Sequence, residues 1–359
     1  MQQTADANQK PEASDPLTSV SKRDFWYVLC ESRELKPGQV LARTVLDERI
    51  ALFRNEKGEA VALQDRCRHR AAPLSRGRVQ EGHLVCPYHG WTYNGHGQVE
   101  AVPSEGAQFK KISSRCTPSY STCEQDGFIY LRLNPKPAID VSPFSMRRYG
   151  EKGWRTIRVI NRFENTVTNC IENFIDIPHT VYVHPGIFRK ERRQLIEVLI
   201  TRSQGSVRAE YKNENTNLGW FSKFLNPTGG VITHTDEFFM PNVSCVEYGM
   251  GPNRHLIITS QATPINERET LVYTDVTYNY GIWTRLAAPM IRWYSQAIIN
   301  QDIVALKQQD EVIRRYGDDF SNTPSDTIHV YVESIQREIE NGRDPRLLPE
   351  KTAQVRMYI

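Results

Sequence analysis

The sequence predicts an α+β protein with two domains, and three observations support this fold class. Residues 25–134 contain short β-rich runs such as FWYVLC, RIALFRN and GFIYLRLN, separated by Pro-Gly, Lys-Gly, Asn-Gly and Asp-Gly pairs that favour turns. Residues 134–143 are rich in proline, which is typical of a linker. Further along, strand-like runs precede two segments with helical periodicity, 283–316 and 327–341.

The chain of 359 residues is long enough for two domains of ordinary size. We predict an all-β domain at residues 25–137 and a second domain at residues 138–359, preceded by a polar, disordered tail at residues 1–24. In the second domain we expect a strand at 154–162, a helix at 165–184 that Pro178 interrupts, and one antiparallel sheet built from the β-rich runs between 196 and 280.

Composition and charge exclude several classes of function. The net charge of +3 is small, and no stretch concentrates Lys and Arg as a nucleic-acid-binding face would. The sequence contains no apolar run of about 18 residues, so we expect no membrane-spanning helix. The polar N-terminus does not resemble a secretion signal. The cysteines number seven, and an odd number disfavours a disulfide framework. We therefore expect a cytoplasmic protein without nucleic-acid or membrane partners.

Two Cys-His pairs in the first domain form a candidate metal site. Cys67 and His69 are separated by one residue, and Cys86 and His89 follow after a gap of sixteen residues. Cys2His2 is also a common zinc ligand set, so a structural zinc site is the alternative. The single intervening residue, and the mixing of Cys with His in each pair, differ from the usual zinc-finger spacing. Glycines and a proline around both pairs favour tight loops whose N–H groups could face bridging sulfides.

A second group of candidate ligands follows in the segment CIENFIDIPHTVYVHPGIF. Asp176 and His179 are three residues apart and would share one face of a helix, and His184 follows just before a proline. Two imidazoles and one carboxylate on one side of a metal form the facial triad of non-haem Fe(II) oxygenases, which leaves positions open for O2. Two nearby histidines also occur on ordinary polar helix faces, so this motif alone does not decide the question.

The carboxylate ligand is expected on the long helix predicted at 283–316. Asp302 lies among isoleucine and leucine residues, on the stripe of this helix that faces the interior. An ionised carboxylate there is unfavourable unless it is paired or bound to a cation, which favours Asp302 as a ligand. Asp310 and Glu311, further along the same helix, are the alternatives.

The two motifs together resemble those of the Rieske non-haem iron oxygenases. DRCRHRAAPLSRG and LVCPYHGWTY are similar to the family's [2Fe–2S] motif, and NFIDIPH followed by His184 is similar to its oxygenase signature. The resemblance extends over nearly the whole chain from Trp26 onward. It implies an N-terminal Rieske domain and a catalytic domain with a helix-grip-like antiparallel sheet flanked by helices. The implied ligands are Cys67, His69, Cys86 and His89 for a Rieske [2Fe–2S] cluster, and His179, His184 and Asp302 for a mononuclear Fe(II).

The resemblance also implies roles for individual residues. The family takes its carboxylate ligand from a late helix, which supports Asp302. An aspartate of the signature links an iron-bound histidine to a Rieske histidine of the neighbouring chain. By resemblance, Asp176 would connect His179 to His89 of an adjacent subunit in a head-to-tail homotrimer. Asn173, in the same signature, is expected beside the iron ligands as a supporting residue.

The implied reaction is the reductive activation of O2 by a terminal oxygenase. An NAD(P)H-dependent reductase, directly or through a ferredoxin, would supply electrons to the cluster. The products expected are a hydroxylated or oxidatively demethylated small aromatic, heterocyclic or alicyclic compound. The alternatives are the α subunit of a dioxygenase that forms ring cis-diols and, outside enzymes, a Rieske electron-transfer protein.

Overall fold

The structure is a computed structural model, and it describes residues 19–185, 194–212, 232–251 and 254–359. The N-terminal part is all β. Its strands are β1 (Tyr27–Glu31), β2 (Val40–Val45), β3 (Glu48–Arg54), β4 (Ala60–Gln64), β5 (Arg78–Gln80), β6 (His83–Val85), β7 (Thr92–Tyr93), β8 (Val99–Ala101), β9 (Ser119–Gln125) and β10 (Phe128–Arg132). They form a six-stranded sheet in the order β1-β10-β9-β4-β3-β2 and a four-stranded sheet in the order β5-β6-β7-β8. This arrangement confirms the predicted all-β N-terminal fold.

The second part is built on one eight-stranded antiparallel sheet with helices packed against it. Its strands are β11 (Arg155–Phe163), β12 (Leu195–Ser203), β13 (Ser206–Lys212), β14 (Thr233–Phe239), β15 (Val243–Gly249), β16 (His255–Asn266), β17 (Glu269–Asn279) and β18 (Lys351–Tyr358). They lie in the order β11-β17-β16-β15-β14-β13-β12-β18. The α-helices of the described residues are α1 (Val167–Phe174), α2 (His179–Tyr182), α3 (Ala288–Tyr316) and α4 (Thr327–Glu340). The α+β class predicted from the sequence is confirmed.

Both faces of the large sheet are buried, and the alternation of side chains along strand β16 shows why. On one face, Ala262 shares a hydrophobic core with Ile171 of helix α1. On the opposite face, the hydroxyl of Thr263 donates a hydrogen bond of 2.8 Å to the carbonyl of Val28 in β1. One face therefore carries the helices, while the other packs against the N-terminal domain.

Helix α3 has well-defined ends and a continuous buried stripe. Pro289 lies in its first turn, where the missing N–H costs no helical hydrogen bond, and Gly317 with φ of +87° ends it. The helix begins later than the predicted residue 283 because Gly281–Trp283 forms a 3-10 turn. Asp302 lies on the buried stripe, as predicted. No helix among the described residues has the length and apolarity that crossing a bilayer requires.

A buried ion pair connects the two parts of the chain. Arg158 on β11 donates two hydrogen bonds of 2.8 Å to Asp275 on β17, and it also donates to the carbonyls of Asp126 and Gly127 at 3.1 Å. Its guanidinium carbon lies 3.3 Å from the centroid of the Phe128 ring. Burial raises the pKa of Asp275, although the hydrogen bond and charge of Arg158 act in the opposite direction. The carboxylate therefore depends on this guanidinium to remain ionised inside the protein.

The N-terminal boundary of the fold differs from the expectation. Residues 1–18 of the predicted tail lie outside the described residues. Val20 and Asp24 are buried, and the backbone N–H of Val20 donates to the carbonyl of Gly342 near the end of α4 at 3.0 Å. Residues 19–24 therefore belong to the packed structure and not to a disordered tail.

The helix predicted at 165–184 is interrupted as expected and is divided into two. Helix α1 ends at Phe174 and helix α2 begins at His179, because the ring of Pro178 excludes the helical conformation from the residue before it. Asp176 lies in this break. The prediction that Asp176 and His179 share one helical face is therefore wrong, although the two side chains remain close.

Strand β18 was not predicted from the sequence. It pairs with β12 along its whole length and closes one edge of the sheet. Its sequence, KTAQVRMY, buries only Val355 and Met357. Such an edge strand carries too few apolar residues for its alternation to be recognised in isolation.

Replacement of Arg158 by Met tests the ion pair. We expect the Arg158→Met variant to lose about 3–5 kcal/mol of unfolding free energy, because Asp275 stays buried without its partner. Urea unfolding followed by circular dichroism measures this loss. The double variant Arg158→Met/Asp275→Leu is the control, and it should be less destabilised than the single variant. A single variant as stable as the wild type would contradict the argument.

Candidate metal centres

Two short loops of the N-terminal domain carry the Cys-His pairs, and each loop is closed at its base by its own cysteine. The N–H of Cys67 donates to the carbonyl of Ala72 at 2.9 Å. The N–H of Cys86 donates to the carbonyl of Trp91 at 2.8 Å. Because both loops fold back on the cysteine, each sulfur and the histidine that follows it are presented at the same tip.

Two glycines make these tight loops possible. Gly90 has φ of +71°, in the left-handed region that favours glycine. At Gly77 a Cβ atom would lie 2.1 Å from the carbonyl oxygen of Val85, so only glycine permits the close approach to strand β6. The sequence expectation of tight loops around the pairs agrees with this geometry.

The four side chains are arranged as a pair of thiols and a pair of imidazoles. The rings of His69 and His89 have centroids 4.5 Å apart, while Cys67 and Cys86 are buried and belong to no disulfide. Four ligands of one tetrahedral zinc ion would lie within about 4 Å of one another. Among the described residues, no three of these four bring their ligand atoms within 4.8 Å of one another. The arrangement therefore fits a two-iron cluster better than a single zinc ion.

The residues around this site also leave metal-binding atoms available. The Nδ1 atom of His69 is buried without a hydrogen-bond partner among the described residues, and its ring stacks on Trp91 with centroids 4.9 Å apart. The hydroxyl of Tyr93 lies 3.2 Å from the sulfur of Cys67. Burial, assisted by Cys67, raises the pKa of Tyr93 far above its usual range, so the hydroxyl stays protonated beside the sulfur.

The second group of candidate ligands meets where α2 faces the middle of α3. The Oδ1 atom of Asp302 lies 3.1 Å from Nε2 of His184 and 3.7 Å from Nε2 of His179. These three atoms lie within 4.8 Å of one another, and no other group of three His, Cys, Asp or Glu side chains among the described residues does so. His184 and Asp302 are buried, and Oδ1 of Asp302 has no hydrogen-bond donor there. A divalent cation fits this donor set, because it would satisfy all three atoms at once.

The structure distinguishes Asp302 from the alternatives on the same helix. Asp310 is also buried, but it accepts hydrogen bonds from Arg268 and Arg314. Glu311 is exposed. Only Asp302 faces the two imidazoles.

A glutamine that the sequence analysis did not identify orients one of the histidines. The Oε1 atom of Gln301 lies 2.8 Å from Nδ1 of His184. An acceptor at Nδ1 holds the proton on that nitrogen and leaves the Nε2 lone pair facing Asp302 and His179. No local pattern marks this glutamine, because its role depends on the packing of α3 against α2.

Asp176 and Asn173, the two supporting residues named from the sequence, both lie at this centre. The Oδ2 atom of Asp176 accepts a hydrogen bond of 3.2 Å from the backbone N–H of His179 and lies 3.3 Å from Nδ1 of the same residue. Asn173 lies in the last turn of α1, and its buried Oδ1 has no hydrogen-bond partner among the described residues. Within the described chain, no hydrogen bond or ion pair joins Asp176 to His69 or His89.

A cavity of about 150 Å³ opens directly beside the three ligand candidates. Its walls are mostly apolar and come from the large sheet and from helix α3, including Val246, Leu256, Ile258, Val276, Ile291 and Ile298. A cavity of this volume accommodates a single six-membered ring. Two polar residues of strand β14, His234 and Asp236, also line it, and the sequence analysis assigned a role to neither.

Two family models cover most of the chain. The model of the Rieske [2Fe-2S] domain matches residues 25–120, and the model of the vanillate O-demethylase oxygenase C-terminal domain matches residues 164–339. The first covers both Cys-His loops, and the second covers the break between α1 and α2 together with helix α3.

Individual relatives agree with these matches. The oxygenase component of dicamba O-demethylase from Stenotrophomonas maltophilia is 27% identical over 306 residues, which are 79% of this chain and 87% of that protein. The 4beta-methylsterol monooxygenase of Methylococcus capsulatus is 24% identical over 350 residues, 92% of this chain and 91% of that protein. A crystal structure of dicamba monooxygenase bound to 3,6 dichlorosalicylic acid has 25% identity and a TM-score of 0.75, and the match covers 90% of this chain and 98% of that chain.

A cluster domain followed by a carboxylate-and-histidine iron site defines an oxygenase with two metal centres. The chain belongs to the Rieske non-haem iron oxygenases. Its cofactors are accordingly a Rieske [2Fe–2S] cluster and a mononuclear iron, and its co-substrate is O2.

A buried acid on α1 gives the second centre a pH-sensitive neighbour. Burial raises the pKa of Glu172 to about 8, and the nearby carboxylates of Glu333, Asp176 and Asp326 contribute in the same direction. Its Oε1 atom has no hydrogen-bond partner among the described residues. Glu172 is therefore largely protonated at neutral pH.

The Glu172→Gln variant tests this protonation. Because the pKa is higher in the folded state, the stability that protonated Glu172 contributes is complete below its unfolded pKa and is lost as the pH rises through about 8. We expect the variant and the wild type to melt at similar temperatures at pH 5, and the variant to melt at the higher temperature at pH 9. The exposed Glu311→Gln substitution is the control. If the difference in melting temperature between Glu172→Gln and the wild type were the same at pH 5 and pH 9, the prediction would be contradicted.

Proposed function

We propose that this oxygenase hydroxylates, or oxidatively removes a methyl group from, a small ring-containing substrate. The observation that carries the proposal is the convergence of His179, His184 and Asp302 on the edge of an apolar cavity of one-ring size. An NAD(P)H-dependent reductase would supply the electrons, directly or through a ferredoxin.

The metal ligands follow from the same geometry. His179, His184 and Asp302 would hold the mononuclear iron, and Cys67, His69, Cys86 and His89 would hold the cluster. When bound, the cluster supplies electrons, and the iron supplies the activation of O2.

The protein's own side chains prepare this site. Gln301 holds the proton of His184 on Nδ1, so that Nε2 remains available as a ligand. The apolar walls of the cavity exclude water and keep a ring against the edge where the three ligands meet. Asn173 lines the same cavity with an amide that can orient a bound molecule.

Monooxygenation or demethylation is favoured over ring dihydroxylation. The C-terminal match is to a demethylase oxygenase domain, and the relatives reported above are named as a demethylase and a monooxygenase. A dioxygenase that forms cis-diols is the second candidate. The two differ in product, since demethylation releases formaldehyde and hydroxylation adds one oxygen atom, whereas dihydroxylation adds two oxygen atoms and retains every carbon.

We also propose that the active form is a head-to-tail homotrimer. His89 is exposed at the tip of its loop, and the adjacent Tyr88 is 65% exposed. Asp176 contacts His179 within the chain and has no contact with either Rieske histidine there. A neighbouring subunit could therefore place its His89 against Asp176, which would connect the two metal centres.

The cytoplasm is the proposed compartment. A reductase that uses NAD(P)H operates there. Buried thiols such as Cys30 and Cys170, which form no disulfide, are suited to a reducing environment.

Metal analysis tests the proposal first. After anaerobic purification, we expect about three irons and two acid-labile sulfides per chain, with a Rieske-type EPR signal after reduction by dithionite. A panel of methoxy-substituted rings with a reductase should then release formaldehyde. Zinc without sulfide would refute the proposal, and a cis-diol product would favour the dioxygenase.

The Asp176→Asn variant tests the connection between the centres. We expect both metal sites to remain filled, because Asp176 is not a proposed ligand, while reductase-driven turnover falls by about 10- to 100-fold. Iron and sulfide content, measured beside the rate of O2 consumption, distinguishes the two effects. Turnover at the wild-type rate would show that Asp176 does not connect the centres.

A further inference from the structure

The cavity beside the iron site contains a buried carboxylate that the proposed iron chemistry does not use. Asp236 on strand β14 is 2% exposed and lines the cavity, as does His234. Its Oδ1 atom lies 3.0 Å from Nε2 of His234, and its Oδ2 atom accepts a hydrogen bond of 2.8 Å from the hydroxyl of Tyr211. A carboxylate has about four acceptor sites, so these two contacts leave it able to accept further hydrogen bonds.

The surroundings hold this carboxylate in a fixed orientation. The ring of His234 stacks between Tyr211 and Tyr248, with centroids 4.4 Å and 4.1 Å away and interplanar angles of 18° on both sides. Tyr211 therefore supports Asp236 twice, through its own hydroxyl and through the histidine on which it stacks. A group that is fixed before a ligand arrives loses little entropy when the ligand binds.

Strand register places Asp236 at a definite position on the cavity wall. In strand β14, Phe238, Asp236 and His234 point to the same face, because alternate residues of a strand do so. Phe238 belongs to the hydrophobic core beneath helix α1, which leads to the iron ligands. Asp236 lies two residues before Phe238, about 7 Å along the strand, and it pairs with Val246 of β15.

On the sheet side of the cavity, few other groups compete for a polar substrate group. Ser244, Ser260 and Thr274 form a row of buried hydroxyls across β15, β16 and β17, and Ser260 and Thr274 are already hydrogen-bonded to each other at 3.2 Å. Apart from Asp176 and Asp302, Asp236 is the only carboxylate among the described residues that line the cavity. It is therefore the strongest hydrogen-bond acceptor there that belongs to neither the iron site nor its support.

We propose that Asp236 determines substrate specificity by accepting a hydrogen bond from a hydroxyl or N–H group on a single-ring substrate, with Tyr211 and His234 as positioning residues. The inference rests on the proposed function, because it takes the cavity beside His179, His184 and Asp302 as the substrate site. A ring that carries a donor pairs with the carboxylate, which orients the remainder of the ring toward the metal. A ring without a donor leaves a buried acceptor unmatched and binds less well.

Ligand affinity of the iron-loaded protein tests the proposal directly. Each probe pair consists of one of the three methoxyphenols and the methoxytoluene in which a methyl group replaces the hydroxyl. The probes are titrated anaerobically by calorimetry. We expect at least one methoxyphenol to bind about tenfold or more tightly than its methyl counterpart. In Asp236→Leu this preference should disappear, and in Asp236→Asn it should fall. Ser260→Ala, in the same cavity, is the matched control and should retain the preference.

Tyr211→Phe provides a second test if the Asp236 variants fold poorly. It removes one donor to the carboxylate and preserves the aromatic ring on His234, so it should weaken the hydroxyl preference without abolishing it. A preference that survives in Asp236→Leu, equal affinity of each wild-type pair, or failure of the wild type to bind any probe would overturn the inference.

Failure of this inference can be told apart from failure of the proposed function. Iron and acid-labile sulfide content do not depend on which probe binds. A protein that contains iron, consumes O2 and shows no hydroxyl preference would refute the role of Asp236 alone. A protein without iron would refute the proposed function whatever the affinities.

Discussion

The arrangement of the candidate iron site depends on one buried carboxylate. Asp302 lies on the inward stripe of a long helix, 3.1 Å from the ring nitrogen of His184, with no hydrogen-bond donor to its Oδ1 atom in the described structure. An ionised carboxylate in such a position is costly unless a cation accompanies it. The break between α1 and α2 brings two imidazoles to the same point, and Gln301 orients one of them. The elements around Asp302 thus meet at the place where an iron ion would balance the charge.

The two faces of the large sheet contact different parts of the protein. One face carries the helices, the candidate iron site and the cavity, while the other packs against the N-terminal domain through contacts such as that of Thr263 with Val28. Arg158, held by a buried, bidentate ion pair with Asp275, crosses this second interface through hydrogen bonds to the carbonyls of Asp126 and Gly127. Within one chain nothing described connects Asp176 to the Rieske histidines, although Asp176 is adjacent to His179. The fold of a single subunit is therefore consistent with electron delivery between subunits.

Within the cavity, chemistry and selectivity lie on different elements. The proposed iron ligands come from helices α2 and α3 and from the residues next to α2, while Asp236 and the row of buried hydroxyls on the cavity wall come from neighbouring strands of the sheet. Family comparisons identify the fold and the metal chemistry, because the two family models match the regions that carry the proposed ligands. Substrate choice depends on side chains such as Asp236, which can change without disturbing the metal site. The proposed metal ligands on the helices can therefore stay the same, while side chains on the strands change with the ring that is bound.

The sequence by itself determined the α+β class, the two Cys-His loops, the pair of histidines and the candidate carboxylate Asp302. Each of these signals is local: the ligands lie a few residues apart, and a charged residue on an apolar helical stripe is visible in the chain. Tertiary structure decided the rest. The choice of Asp302 over Asp310 required the arginines that pair with Asp310, and strand β18 became a strand only beside β12. The position of Asp236 in the cavity depends on which face of β14 turns inward, and a register shift of one residue would reverse that face.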